Sequence, residues 1–187
     1  MQLRNLSNGL KAAYRGSDVR RRVKHYDGWM DRAQVGDDGP AGYDHAETVR
    51  EYYNLCNEFM VFGWSESLHF APLSPHESLE DSQARHQRLM IAKLELQEGM
   101  TVIDVGCGIG GPMRRVAREA GVSVLGVNSS EVQLEKARSL TTEAELDHVI
   151  DYLACSFMDM GAIEDGTFDR GSGIESTGHG RDKGGAP

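Results

Sequence analysis

Apolar residues along the chain follow two different periodicities, and the change between them occurs near residue 100. In the first part they recur every three or four positions, which predicts amphipathic helices. These helices are predicted over residues 18–32, 46–60 and 77–96. Gly63 and Trp64 are expected to break the second helix. Leu89, Ala92 and Leu96 are expected to form the apolar face of the third.

Beyond residue 100, short apolar runs alternate with amphipathic segments. The runs predict strands over residues 101–105, 122–127, 149–153 and 168–174. Helices are predicted over residues 111–120 and 130–140, and Ser130 and Gln133 would form a capping box at the start of the second. Strands that alternate with helices favour a parallel sheet with right-handed crossovers. The pattern therefore predicts an α/β fold preceded by a helical segment.

Length and charge narrow the classes of function. The 187 residues suit a single domain, and the net charge of −9 argues against nucleic acid as the main partner. No apolar run approaches the roughly 20 residues of a membrane span. Cys56, Cys107 and Cys155 lie far apart, which predicts a reducing compartment and no metal site.

The strongest chemical signal is the glycine-rich run VIDVGCGIGGP at residues 102–112. It lies between a predicted strand and a predicted helix, the context in which such loops bind nucleotide-like ligands. Gly106, Gly108 and Gly110, with Cys107 among them, allow a tight turn and a close approach of the ligand. The helix that follows would present unpaired N–H groups to the ligand.

Two ligand classes fit this spacing. Gly106, Gly108 and Gly111 match the dinucleotide pattern G-x-G-x-x-G, whereas Asp104 begins the D-x-G-x-G-x-G pattern of S-adenosylmethionine enzymes. The carboxylate of Asp104 would repel a pyrophosphate but suits the cationic amino-acid end of S-adenosylmethionine. The second strand ends in Asn128 rather than in the acid that binds the ribose of NAD. The two serines after it leave NADP as an alternative ligand. S-adenosylmethionine is the favoured ligand.

Several blocks of sequence together resemble the sterol 24-C-methyltransferase family. They are EYYNLCNEFMVFGWSESLHF (51–70), ARHQRLMIAKLEL (84–96), the glycine loop with its continuation (102–137), FMDM (157–160) and FDRGSGIESTGHGRDK (168–183). The GWSESLHF block distinguishes this family from methyltransferases in general. The resemblance implies a Rossmann-like class I methyltransferase sheet, of which the chain holds the first four strands.

The resemblance also implies a reaction. The family transfers a methyl group from S-adenosylmethionine to the side-chain alkene of a sterol, without a metal. A sterol or related lipid would be the substrate, and contact with the surface of the endoplasmic reticulum or of lipid droplets would be peripheral in an otherwise cytoplasmic protein. Whether the protein forms an oligomer is left open. The alternatives are a fragment that binds S-adenosylmethionine or a partner without catalysis, and a methyltransferase of another small lipid or polyprenoid.

The resemblance implies residues for the substrate and for catalysis. The aromatic residues that would face the sterol are Phe62, Trp64 and Phe70. The candidates for catalysis are Glu175 and His179, which match the family's IEATCH-type motif, and His69. Each has a structural alternative: the aromatic side chains would pack a helix end, His69 would be a hydrogen-bonded histidine, and the other two would be solvated.

The cofactor residues implied are those of the glycine loop together with Asn128, Gln133 and Ser156. Ser156 stands where the family has an aspartate near the adenine, so a charged hydrogen bond is lost. In the fourth strand Arg170 and Gly171 replace apolar residues, which weakens a central strand.

The chain divides by sequence into four segments. They are a helical extension at residues 1–41, a substrate-side segment at 42–98, a cofactor-binding half-domain at 99–176 and a glycine-rich tail at 177–187. Because the family continues with further strands, we expect a truncated chain with little or no turnover of its own.

Overall fold

The computed structural model describes residues 63–176 throughout, and before them residues 20, 21, 23, 24, 27, 28, 50, 52, 53, 56, 60 and 61. The chain divides into two compact units, Met1–Phe62 and Gly63–Pro187. The described residues of the first unit are helical, in agreement with two of the predicted helices. The limits of the four predicted segments stay predictions. In the described part of the chain, no helix combines the length and the apolar character that crossing a membrane requires.

A four-stranded parallel sheet forms the centre of the second unit. Its strands are β1 (Thr101–Val105), β2 (Ser123–Asn128), β3 (Ile150–Ala154) and β4 (Arg170–Ser172), in the order β3-β2-β1-β4. The helices described are α1 (Leu79–Lys93), α2 (Gly111–Ala120) and α3 (Glu131–Glu143). The predicted α/β fold is confirmed, and β1 and α2 have the predicted bounds. β4 is shorter than predicted.

The core lies between the sheet and the helices α2 and α3. Val102 and Val124 contribute from the strands, and Met113, Val116 and Leu134 from the helices, all of them buried. In β1, buried positions alternate with partly exposed ones, as expected of a strand with one face against the helices. The buried face of α2 is formed by Met113, Val116 and Ala117, together with Arg114.

The buried face of α1 is polar, contrary to the prediction. Leu89 is 55% exposed and Ala92 is also exposed, whereas Gln83 and Gln87 are buried. The reason is that the two glutamine side chains hydrogen-bond to the segment before the helix, whose backbone and side-chain groups need partners away from water. Leu96 does pack against the core, as predicted.

The prediction that the helix is broken at Gly63 and Trp64 is also wrong. Both residues are helical, and the turn begins at Ser65, which has a left-handed backbone with φ of 63°. A left-handed residue cannot continue a right-handed helix, so the chain changes direction there.

β4 is held at the edge of β1 by polar contacts from its flanks. The Asp169 carboxylate accepts hydrogen bonds from the backbone N–H of Thr101 at 2.8 Å and from its hydroxyl at 3.0 Å. The Arg170 guanidinium donates to the carbonyl of Leu94 at 2.8 Å. These contacts stabilise a strand whose three residues include no apolar side chain.

Candidate functional site

The glycine loop joins β1 to α2 in a series of left-handed turns. Gly106, Gly108 and Gly110 have φ of 79°, 56° and 76°, so the predicted need for backbone freedom is confirmed. The N–H groups of Gly106 and Cys107 donate to the carbonyl of Val127 at 2.8 and 3.0 Å, which fixes the start of the loop to β2. Within the described part of the chain, the N–H group of Gly108 makes no backbone hydrogen bond.

The three glycines have different surroundings. A Cβ atom on Gly106 would lie 2.2 Å from the Cβ of Ser176, and one on Gly110 would lie 2.6 Å from the hydroxyl of Tyr152. A Cβ on Gly108 would meet no atom within 4 Å. Gly106 and Gly110 are therefore needed for packing, whereas Gly108 borders open space and is the glycine that a ligand can approach.

A small cleft with a cavity volume of about 40 Å³ lies against this loop. Its lining comprises Glu66, Leu68, His69, Asp104, Gly106, Cys107, Gly108, Ile109, Pro112 and Ile174. It is located at the carboxyl ends of β1 and β4, where parallel α/β sheets bind their ligands. The structure thus brings together five of the predicted site residues, from Asp104 through Gly108 and across the cleft to His69.

Asp104 is a buried acid in the cleft wall. Its carboxylate accepts a hydrogen bond from the hydroxyl of Ser172 on β4 at 2.9 Å. Burial raises the pKa of Asp104 to about 6, and the Ser172 hydroxyl opposes this in part. Burial also raises the pKa of the Cys107 thiol, and the charge of Asp104 adds to that effect. Near neutral pH the cleft therefore holds a carboxylate beside an un-ionised thiol.

Asn128 connects the loop to the start of α3. Its amide nitrogen donates to the carbonyl of Gly108 at 3.2 Å and to Oε1 of Gln133 at 2.9 Å. Its oxygen accepts from the N–H of Ser130 at 3.2 Å, the group that Gln133 would bind in a complete capping box. The predicted box is therefore half formed, with the Ser130 hydroxyl accepting from the Gln133 N–H. Both amide hydrogens of Asn128 are used and its oxygen already accepts from Ser130, so one lone pair of that oxygen is left for a ligand hydroxyl.

Residues 64–70, which we call the wall segment, form the other side of the cleft. The carboxylate of Glu66 binds the guanidinium of Arg114 at 2.6 Å, and Arg114 also donates to the loop carbonyl of Ile109 at 2.7 Å. At the far end, the N–H of Phe70 donates to the carboxylate of Glu175 at 2.9 Å. The wall segment is thus fastened both to the glycine loop and to the chain beyond β4.

The aromatic side chains of the wall segment lie at the surface. Trp64 and Phe70 form an edge-to-face pair with ring centroids 5.7 Å apart, and they are 37% and 66% exposed. Phe70 therefore does not serve mainly to pack a helix end. Between these residues, His69 is buried, and both of its ring nitrogens have partners, at the Phe70 carbonyl and at the Gln87 side chain.

Two of the remaining predicted site residues, Ser156 and Glu175, are described and are not part of the cleft lining. Of those described, Ser156 accepts a hydrogen bond from the N–H of Met158, and Glu175 is exposed apart from its bond to Phe70. Phe62 and His179 lie outside the described residues. The roles predicted for these residues stay predictions.

Sequence reasoning missed the polar residues that hold the cleft together. Glu66, Arg114 and Ser172 act through pairs 48 and 68 residues apart, and nothing in a single sequence marks such partners. The one available signal was Arg114 in the otherwise apolar face of α2, because a buried arginine needs a partner.

Comparison with known proteins agrees with this geometry. Residues 42–183 match the family model of mycolic acid cyclopropane synthetase. The chain is 35% identical over 156 residues to a sterol 24-C-methyltransferase of Candida albicans, covering 83% of this chain and 40% of that protein. It is 34% identical over 178 residues to cycloartenol-C-24-methyltransferase 1 of Oryza sativa subsp. japonica, covering 95% and 51%. The chain thus spans about half the length, or less, of these curated relatives.

Two solved structures share the fold. The [4+2]-cyclase SpnF has a TM-score of 0.62 and 27% identity, with 67% of this chain and 47% of that chain covered. The mycolic acid cyclopropane synthase CmaA1, in complex with SAH and CTAB, has a TM-score of 0.60 and 26% identity, with 70% and 46% covered. The curated relatives confirm the resemblance to the sterol 24-C-methyltransferase family.

Proposed function

We propose a function from one premise: the chain belongs to the mycolic acid cyclopropane synthetase family. In this proposal the chain binds S-adenosylmethionine in the cleft and takes part in the transfer of its methyl group to the side-chain alkene of a sterol. The observation that carries this proposal is the open space at Gly108 beside the buried carboxylate of Asp104. Peripheral membrane contact, a cytoplasmic location and an oligomer stay predictions.

The residues of the cleft fit the cofactor. Gly108 admits a ligand close to the backbone, and the first turn of α2 supplies N–H groups for its polar end. The carboxylate of Asp104 attracts an ammonium group and repels a pyrophosphate, which favours S-adenosylmethionine over NADP. Asn128 orients the loop through the Gly108 carbonyl and accepts from a hydroxyl through its oxygen. When bound, the cofactor supplies an electrophilic methyl group on a positively charged sulfur.

The proposed substrate follows from the relatives and from the wall segment. Both curated relatives described above are named as C-24 methyltransferases of sterols. The faces of Trp64 and Phe70 offer an apolar surface next to the cleft, and aromatic faces stabilise a cation. These two side chains would bind the sterol so that its alkene meets the cofactor away from bulk water.

Calorimetry with S-adenosylhomocysteine tests the cofactor site. Gly108→Val places a branched side chain in the open space, so we expect affinity to fall at least about 100-fold. Gly166→Val is the matched control, because Gly166 has a similar φ of 76° and equally open surroundings but lies before β4, away from the cleft. Equal affinity in both variants, or preferential binding of NADPH by the unaltered chain, would refute the assignment.

A transfer assay with methyl-labelled S-adenosylmethionine separates catalysis from binding. Label appearing in a sterol that carries a side-chain alkene supports the sterol methyltransferase. Label appearing in a polyprenoid but not in the sterol supports the lipid alternative. Binding of S-adenosylhomocysteine without transfer supports a non-catalytic module, the third possibility for this chain.

A further inference from the structure

Gln87 is a fully buried side chain on the inner face of α1, and its neighbours fix the orientation of its amide. Oε1 accepts a hydrogen bond from Nε of Arg115 on α2 at 2.7 Å. A guanidinium has only donors, so the oxygen of the amide must face it. The Nε2 group therefore points the other way, to the hydroxyl of Ser67 at 3.0 Å and to Nε2 of His69 at 2.8 Å.

This orientation determines the protonation of the His69 ring. Because the amide nitrogen of Gln87 donates, Nε2 of His69 must accept and carry no proton. The other ring nitrogen, Nδ1, lies 2.8 Å from the carbonyl oxygen of Phe70, an acceptor, so Nδ1 carries the proton. Both requirements are met only by the neutral imidazole.

We propose that Gln87 is a positioning residue that holds His69 as a neutral imidazole, protonated on Nδ1, in the wall of the cleft. The Nδ1 proton then ties the ring to the wall segment's own backbone, and the cleft wall has no imidazolium. A second consequence rests on the proposed function: a positively charged cofactor meets no like charge from this histidine.

The groups around His69 shift the pKa of its ring in both directions. Burial lowers its pKa, the Phe70 carbonyl opposes this, and His86 of α1, with its ring 5.3 Å away, adds to the lowering. Glu175 beyond β4 raises it. Glu66 and Asp104 also line the cleft, and the guanidinium of Arg115 reaches His69 only through Gln87. Glu175 alone thus does not offset burial.

Gln87→Glu reverses the hydrogen-bond requirement without changing the size of the side chain. One carboxylate oxygen keeps the bond to Arg115, and the other can only accept from Nε2 of His69. With an acceptor at each nitrogen, the doubly protonated ring is favoured, and the pKa of His69 rises. A side chain that merely fills space would not produce this change.

Long-range ¹⁵N NMR of the histidine rings, recorded on the ligand-free full chain, measures the protonation directly. The His69 signals are assigned by their loss in His69→Gln. We expect one protonated nitrogen, Nδ1, near pH 8, and a titration midpoint below the ordinary histidine pKa of about 6.5. In Gln87→Glu we expect titration above that value. Gln97→Glu adds the same charge on an exposed position and should leave the His69 signals unchanged.

Two results would overturn the proposal. One is a proton on Nε2 of His69, or a cationic ring near neutral pH, in the unaltered protein. The other is a Gln87→Glu spectrum identical to that of the unaltered protein. If Gln87→Glu does not fold, the unaltered protein and Gln87→Met decide. Gln87→Met removes the hydrogen bond that Nε2 of His69 accepts, so the ¹⁵N signal of Nε2 should shift while Nδ1 keeps its proton on the Phe70 carbonyl; an unchanged Nε2 signal would overturn the proposal. No cofactor is present, so failure here is distinct from failure of S-adenosylhomocysteine to bind.

Discussion

Asp104→Asn should make the protein more stable and at the same time remove its affinity for cofactor. Asp104 is almost fully buried, and its pKa lies at about 6 instead of the ordinary 3.8. A difference of about two pKa units corresponds to about 3 kcal/mol by which folding disfavours the charged form. An asparagine keeps an oxygen to accept from Ser172 but carries no charge to desolvate.

The effect depends on pH, and its direction follows from the raised pKa. Between pH 3.8 and about 6 the folded state binds more protons than the unfolded state, so stability falls as pH rises through this window. Ionisation of Asp104 lowers the free energy of unfolding by about 1 kcal/mol near pH 4.5 and by about 3 kcal/mol near pH 7.5. Relative to the unaltered chain, Asp104→Asn should therefore gain about 2 kcal/mol between these two pH values.

Urea unfolding at the two pH values, followed by circular dichroism, measures the free energy of unfolding of both proteins. Comparing the difference at two pH values cancels the pH-independent effect of the amide itself. Asp159→Asn, at an exposed position, is the control and should show no such gain. Calorimetry with S-adenosylhomocysteine supplies the second reading. If the stability of Asp104→Asn relative to the unaltered chain does not rise with pH, the buried charge of Asp104 does not destabilise the fold. If Asp104→Asn binds S-adenosylhomocysteine as tightly as the unaltered chain, Asp104 does not contribute to ligand binding.

Three further substitutions test the contacts that support the cleft. Arg114→Met removes the donor to a loop carbonyl and the partner of Glu66. We therefore expect the free energy of unfolding to fall by about 2 kcal/mol and S-adenosylhomocysteine to bind more weakly. The control is Arg118→Met, at an exposed position on the same helix, which should change the free energy of unfolding by less than about 0.5 kcal/mol. Tyr152→Phe removes a buried hydroxyl that lies 2.7 Å from a threonine of α3 and should cost about 1 kcal/mol in the same urea assay. Ser130→Ala removes the N-cap of α3 and should cost about 1 kcal/mol, whereas an unchanged midpoint would mean that Asn128 alone satisfies this helix end.

The elements with a strong periodic pattern could be predicted from the sequence. The apolar run Thr101–Val105 predicted the bounds of β1 correctly, and the apolar positions of α2 did the same for that helix, because each element has one buried face. α1 was located but its buried face was not, since Gln83 and Gln87 occupy the positions where a core helix normally has apolar residues. A pattern of hydrophobicity cannot identify a helix face that is buried by hydrogen bonding.

The candidate site was predictable where it is local in the chain. The glycine loop carries its own conformational requirement, so its position and its tight turns could be predicted from residues 102–112. The cleft wall was less accessible to prediction, because the roles of Glu66, His69 and Ser172 depend on partners far away in sequence. Asn128 illustrates the same limit: its residue type suited a ribose contact, but the fold commits both its amide hydrogens to the protein.

The attachment of β4 has a consequence for the order in which the protein folds. The contacts that complete the cleft join residues 68 apart at Asp104 and Ser172, and 105 apart at Phe70 and Glu175. The pairing of β1, β2 and β3 closes much shorter loops, which cost less chain entropy and form sooner. We therefore expect β4 to dock late. A newly synthesised chain would then acquire its affinity for ligand in the last step of folding, and the same edge would be the first to open in hydrogen exchange.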